Sequence, residues 1–473
     1  METDPALMTA ETLLGLYARR ALSPVEALRG ITERIARLNP RINAFATLDP
    51  RALAAAGESA TRWRAGRPLG PLDGVPVTVK DLIDVAGLPT RRGSRLTDPA
   101  PVEDDAPLVV SLRAAGAVLL GKTTTTEFGW KTPGDNPLHG ITRNPWDTRQ
   151  TPGGSSSGAA AAAAACFGPL HVGTDAGGSL RIPAAWCGIV GIKPTFGRVP
   201  QWPLGAFGAV AVAGPMARTV RDAALLLGTL ARHDFRDPFC LPDDPRDWRD
   251  GIEAGVNGLR VAVLARPGFE AAIDWDGIAA VEAAAGALID AGAEVEQPDL
   301  AELGIDLPDV RQSFGRLWGV ALARVVDGIP ATRRHMMDPG LVQVAASVVD
   351  VTGADMLEAE LLRVRAAHAM ARLHQHYDLV LCPTVPGPPM PAEATTTDPA
   401  AALWTHWAPW TALFNLSRQP AASVPVGLGS TGLPRAVQVA AALYRDDVVL
   451  RAARVLERAF PPISPDLDAV AEA

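Results

Sequence analysis

Cysteine is scarce in this 473-residue chain: Cys166, Cys187, Cys240 and Cys382 stand far apart and form no CxxC pair. A disulfide framework or a cysteine zinc knuckle is therefore not indicated, and buried free thiols are expected. Positive charge is short as well, with 44 Lys and Arg against 52 Asp and Glu and a net charge of −8. That balance offers no basic face to nucleic acid or to an anionic membrane. The longest apolar run, Ala159 to Phe167, is far too short to span a bilayer. The opening METDPALMTAETLL lacks the cationic and apolar regions of a signal peptide, so a cytoplasmic location is expected. No proline- or serine-rich linker of adequate length interrupts the chain, which argues for one large domain.

What is present is globular material: hydrophobic residues make up 48% of the chain and charged ones 20%. Ser23-Pro24-Val25-Glu26 supplies an N-cap, a first-turn proline and a capping glutamate. The helix it opens places Leu28, Ile31, Ile35 and Leu38 on one face, and Asn39-Pro40 is expected to end it. Val75 to Lys80 and Ala117 to Leu120 read as short buried strands, with a helix over Ala106 to Ala115 between them. Thr219 to Leu230 and Trp275 to Ala291 read as helices, Gly258 to Leu264 as a strand, and 298–376 as a helical stretch. Asp378 to Pro383 and Ala422 to Val426 read as late strands before a closing helix over Asp446 to Phe460. Such alternation predicts an α/β fold with helices on the faces of a sheet.

Three pieces carry chemistry: Lys80 at the end of an apolar strand, the loop PGGSSSG at Pro152 to Gly158, and the loop GTDAGGSLR at Gly173 to Arg181. A serine hydroxyl is a weak nucleophile near neutral pH and needs a base within hydrogen-bond reach. None of the eight histidines stands in a glycine-rich turn with an evident acidic partner. Lysine can replace histidine only when neutral, and moving its pKa from about 10.4 to near 7 costs roughly 4 to 5 kcal/mol, which burial can supply. Lys80, behind Val77 and Val79, fits that demand. Gly177 and Gly178 allow backbone N–H groups to approach a carbonyl oxygen beside Ser179, as an oxyanion hole requires, and a helix expected to begin at Ser179 adds its positive end.

At this point the chain resembles the amidase signature family, of the stand-alone bacterial type that includes urethane and carbamate hydrolases. The matching pieces are GVPVTVKD from Gly74, GKTTTTEF from Gly121, TPGGSSSG from Thr151, GTDAGGSLRIPAAWCGIVGIKPTFGRVP from Gly173, GPMARTVRDAALLL from Gly214 and FNLSRQPAASVPVG from Phe414. The resemblance implies a single large domain whose central mixed, twisted sheet is flanked by helices on both faces. Residues 1–70 would form an N-terminal helical segment, 71–230 the catalytic core, and 231–473 the remainder, with a variable pocket region at about 300–410. It implies Lys80 as base, Ser155 as bridging serine after a cis peptide bond, and Ser179 as nucleophile. Oxyanion donors would come from the backbone of Ala176, Gly177, Gly178 and Ser179. Gly153, Gly154, Arg181, Phe207 and Trp410 are candidate substrate contacts. No metal or cofactor is required. The expected substrate is a small neutral amide, ester or carbamate, acted on by a monomer or homodimer. The alternative is the A-type subunit of a tRNA-dependent amidotransferase.

Competing readings remain beside each feature. Gly153 to Ala165 has the composition of a flexible linker. Gly154 to Gly158 matches GxSxG, which would make Ser156 the nucleophile, although the preceding DTRQTP is polar where an elbow needs a strand. Arg181 could hold a substrate carboxylate or pair with Asp175. Trp130, Trp202, Phe207, Trp318, Trp404, Trp407 and Trp410 could line an acyl pocket or simply pack the core. Specificity is expected in 313–337 and 386–410, where no pattern matches.

Overall fold

The computed structural model describes residues 4–244, 246–264, 273–299, 303–394 and 410–472. The capping box at Ser23 forms: the Ser23 hydroxyl accepts from the Glu26 N–H at 3.2 Å and a Glu26 oxygen accepts from the Ser23 N–H at 2.7 Å. The helix it opens runs over Pro24–Ile42, through Asn39-Pro40. Proline in a last turn removes only one hydrogen bond, and burial of Ile35, Leu38 and Ile42 holds the face down. The stop is Asn43, which takes the left-handed conformation at φ 57.

Eleven strands of the described residues form one mixed sheet. In chain order they are β1 (Phe45–Leu48), β2 (Pro76–Lys80), β3 (Val118–Thr123), β4 (Leu170–Asp175), β5 (Val190–Lys193), β6 (Val212–Ala217), β7 (Arg260–Val263), β8 (Glu294–Glu296), β9 (Leu379–Pro383), β10 (Ala421–Leu428) and β11 (Pro434–Ala441). Their spatial order is β1-β3-β2-β4-β6-β5-β10-β11-β9-β7-β8. β2 runs parallel to both of its neighbours, β3 and β4, while the centre from β4 to β11 is antiparallel.

Alternation along the strands divides the core in two. Leu119 faces a layer with the helices Val220–Leu230, Trp275–Asp290 and Asp446–Ala459, whereas Val118 and Leu120 face Ile31, Ile35 and Phe167. Likewise Leu379 and Leu381 join the first layer, and Val380 and Cys382 pack toward Leu322, Val326 and Met370 of the helices Leu307–Asp327 and Gly353–Leu373. Because both faces are covered, strands such as β2 and β3 are buried at every residue instead of alternating buried with exposed ones. The chain is a single α/β domain with helices on both faces of its sheet, and no described helix is long and apolar enough to cross a membrane.

Candidate active site

Lys80 is the last residue of β2 and is fully buried. Its Nζ lies 2.7 Å from Ser155 Oγ, 2.9 Å from Ser156 Oγ and 3.0 Å from Thr174 Oγ1. All three partners are neutral hydroxyls, so no counter-ion touches the amine. Burial drives the Lys80 pKa well below its usual value, and the charge of Asp175 opposes this only in part. Lys193 is also fully buried and is pushed down to about 7 by burial and the like charge of Arg181, but its Nζ donates to the Pro194 carbonyl and holds no serine.

The stretch Ser157–Ala164 is a helix buried at every residue, not a flexible linker. It packs against β4 and the helix Arg181–Cys187, where alanine allows a close approach. A Cβ at Gly158 would stand 2.3 Å from the Ala44 carbonyl oxygen and 2.4 Å from the Thr124 nitrogen, so only glycine fits there. This packing delivers the turn before the helix to Lys80, and the Gly154-Ser155 peptide bond in that turn is cis. Ser156 is fully buried: its hydroxyl donates to the Thr174 carbonyl at 3.1 Å, and its N–H donates to the Ser179 carbonyl at 3.3 Å. It ties the two loops together and does not line the cavity that Ser155 and Ser179 share, which counts against the elbow reading.

The second loop is shaped by Asp175. Its carboxylate accepts from the N–H of Gly178 at 2.7 Å and of Leu180 at 3.1 Å, and from Arg181 at 2.9 and 3.0 Å. Burial pushes the Asp175 pKa up, but the charge and hydrogen bonds of Arg181 and the bond from Asn415 outweigh it and leave it at about 2. Two expectations change here. Gly178 cannot serve as an oxyanion donor while its N–H is given to Asp175, whereas the N–H groups of Ala176, Gly177 and Ser179 have no acceptor among the described residues. The helix begins at Arg181, not Ser179, because the intervening residues wrap around the carboxylate. Gly178 itself sits at φ 137, and a Cβ there would meet Ile182 and Thr411 at under 3 Å.

Ser155 and Ser179 line one cavity of about 110 Å³. One wall comes from Leu82, Ile83, Asp84, Arg92, Ala106 and Leu108, and the other from Gln201 to Phe207 with Ala211 and Ala213. Phe207 does face the cavity, backed by Trp318 in a stacked pair with centroids 3.8 Å apart, and Trp202 lines it half-exposed. Trp130 and Trp410 are buried in the core instead. Gly153 and Gly154 are buried beneath Trp186 and the Lys131 carbonyl and do not line the cavity. Trp404 and Trp407 lie outside the described residues. Of the segment 313–337 only Val325 reaches the cavity, and 386–394 contributes nothing, so among the described residues the walls are built mainly from 82–108 and 201–213.

Arg181 is not a cavity residue. It is fully buried, and its remaining donors reach Gln438 Oε1 at 2.5 Å and Asn415 Oδ1 at 2.6 Å. His171 is buried on β4, held by Thr78 Oγ1 at 2.8 Å and the Gly168 carbonyl at 3.1 Å, and burial together with Arg218 depresses its pKa to about 3. Thr174 and Ser156 complete the hydroxyl cage of Lys80; motif reading singles out Ser156 only as a rival nucleophile and gives Thr174 no role.

A family model described as Amidase matches residues 26–450. The A subunit of the glutamyl-tRNA(Gln) amidotransferase from Salinispora tropica is 35% identical, with 98% of this chain and 99% of that protein covered. An acylamidase of Rhodococcus erythropolis is 34% identical over 96% of each chain. A bacterial aryl acylamidase of the amidase signature enzymes superimposes with a TM-score of 0.89 at 29% identity, covering 98% of this chain and 99% of that one.

Proposed function

The chain belongs to the amidase family, and from that premise we propose a serine hydrolase that uses Ser179, Ser155 and Lys80 to cleave small amides, esters or carbamates through an acyl-enzyme. The observation that carries this reading is the buried Lys80 amine 2.7 Å from the hydroxyl of Ser155, in the cavity that Ser179 also lines. Held by hydroxyls alone and stripped of water, the amine favours its neutral form and can accept a proton. In the proposed reaction it takes one from Ser155, which takes one from Ser179 as that oxygen attacks the carbonyl. The N–H groups of Ala176, Gly177 and Ser179 receive the negative charge on the carbonyl oxygen. Reversing the relay protonates the leaving amine or alkoxide, and water then releases the acyl group. The pocket walls, mostly apolar, suit an uncharged acyl or aryl group.

Fluorophosphonate labelling tests the assignment. The wild type and Ser157→Ala are expected to label and Ser179→Ala not to, while Lys80→Ala loses hydrolysis of a simple aryl amide by at least about a thousandfold. Labelling that survives in Ser179→Ala would overturn the nucleophile. A panel of amide, ester and carbamate sharing one aryl group ranks the substrates.

The second reading, an A-type amidotransferase subunit that uses glutamine together with partner subunits, draws support from the 35% identity to such a protein. Turnover of an aryl amide by the purified chain alone would decide for the hydrolase.

A further inference from the structure

Two pocket residues stand apart from the apolar lining. Arg92 and Asp84 both face the cavity of Ser155 and Ser179, and both are half-buried. Neither side chain makes a hydrogen bond or an ion pair among the described residues, and the two do not pair with each other. Two neighbouring buried lysines do have carboxylate partners: Lys122 holds Asp81 at 3.0 Å, and Lys131 holds Asp338 at 2.6 Å. Half-buried opposite charges that make no direct pair in an otherwise apolar cavity lose hydration, and the nearby charge of Lys122, which both of them feel, is itself held by Asp81.

The backbone holds Arg92 in place at some cost. Arg92 and Phe128 both occupy the left-handed region, at φ 52 and φ 51, and they are bonded to each other: the Phe128 N–H donates to the Arg92 carbonyl at 2.9 Å. The Arg92 N–H donates in turn to the carbonyl of Asp81, the residue after Lys80. A non-glycine residue in that region costs of order 1 kcal/mol and persists where its surroundings over-determine it. Two such residues, linked together and both lining one cavity, fix the Arg92 backbone relative to the lysine strand.

We infer that Arg92 and Asp84 form a specificity site for a dipolar end group, one that places an acceptor such as a carboxylate or carbonyl at Arg92 and a donor such as an ammonium or amide N–H at Asp84. This rests on the hydrolase reading above and narrows its substrates to net-neutral amides or esters with a zwitterionic or amide-bearing end beyond the scissile bond. Such a group satisfies both charges at once, whereas a purely anionic or cationic end leaves one of them desolvated and unpaired.

The test is a series of aryl amides of equal length whose distal end is methyl, carboxylate, ammonium, carboxamide or amino acid, with the group on the acyl side in one set and the leaving side in another. The ratio of kcat/KM for the amino-acid end over the methyl end is expected to exceed about tenfold in one set. That ratio should collapse in Arg92→Gln and Asp84→Asn and be partly kept in Arg92→Lys. A merely structural role would lower every substrate alike, so equal losses across the series, or a wild type that prefers the methyl end, overturn the inference. If the wild type hydrolyses no member, the hydrolase reading fails. Calorimetric binding of the amino-acid-ended amide to Ser179→Ala, with and without Arg92→Gln, then still reads the dipolar site, and equal affinity in the two would refute it.

Discussion

At the residue scale the site depends on a lysine kept in the wrong medium for its charge. Lys80 has no anionic contact, only the hydroxyls of Ser155, Ser156 and Thr174, and burial depresses its pKa well below the usual 10.5. The unfolded chain therefore binds a proton at this residue that the folded chain releases, across the pH range between the two values. In that range the Lys80 contribution to stability rises with pH, by at most about 1.4 kcal/mol per unit. We expect the unfolding free energy of the wild type minus that of Lys80→Met to climb from pH 7 to pH 9 in urea titrations. A flat difference would mean that the amine stays charged when folded. Activity should rise as the pH passes upward through the lowered folded pKa of Lys80 and level off above it, where the amine is already neutral, whereas Lys193, similarly buried but holding no serine, should not contribute to it.

At the scale of elements, the decisive piece is the alanine-rich helix Ser157–Ala164. Its composition resembles a linker, yet each of its residues is buried against β4 and the helix Arg181–Cys187. Gly158→Ala tests this directly. The added methyl meets backbone atoms of Ala44 and Thr124, which cannot swing aside as a side chain could. We expect a loss of about 2 kcal/mol or more in unfolding free energy, together with a fall in kcat/KM as the turn carrying Ser155 shifts. A wild-type midpoint would show that the helix is free to move.

At the scale of the whole molecule, Arg181 joins parts of the chain more than 200 residues apart: Asp175 at the end of β4, Asn415 in the helix Thr411–Leu416 and Gln438 in β11. Removing it strands a buried carboxylate that also shapes the nucleophile loop. Arg181→Met should cost about 3 to 5 kcal/mol, and Asp175→Asn added to it should recover part of that loss. If Arg181→Met were as stable as the wild type and weakened only anionic substrates, the guanidinium would be a ligand group after all.

The ordered motifs from Gly74 to Gly427 were enough to identify the α/β architecture, the strand ending in Lys80 and the two serine loops, because these depend on local pattern: apolar strands, glycine turns and caps. Helix ends were less legible, since Pro40 yields to the burial of Ile42 and the helix at Arg181 starts late to satisfy Asp175. The cavity was legible only in part, through its serines, Phe207 and Trp202. Among the described residues its walls come mainly from 82–108 and 201–213, segments far apart in the chain that the fold brings together. Local sequence can specify which residues are chemically able to react, but whether an arginine ends buried like Arg181 or facing a cavity like Arg92 depends on partners contributed from elsewhere in the chain.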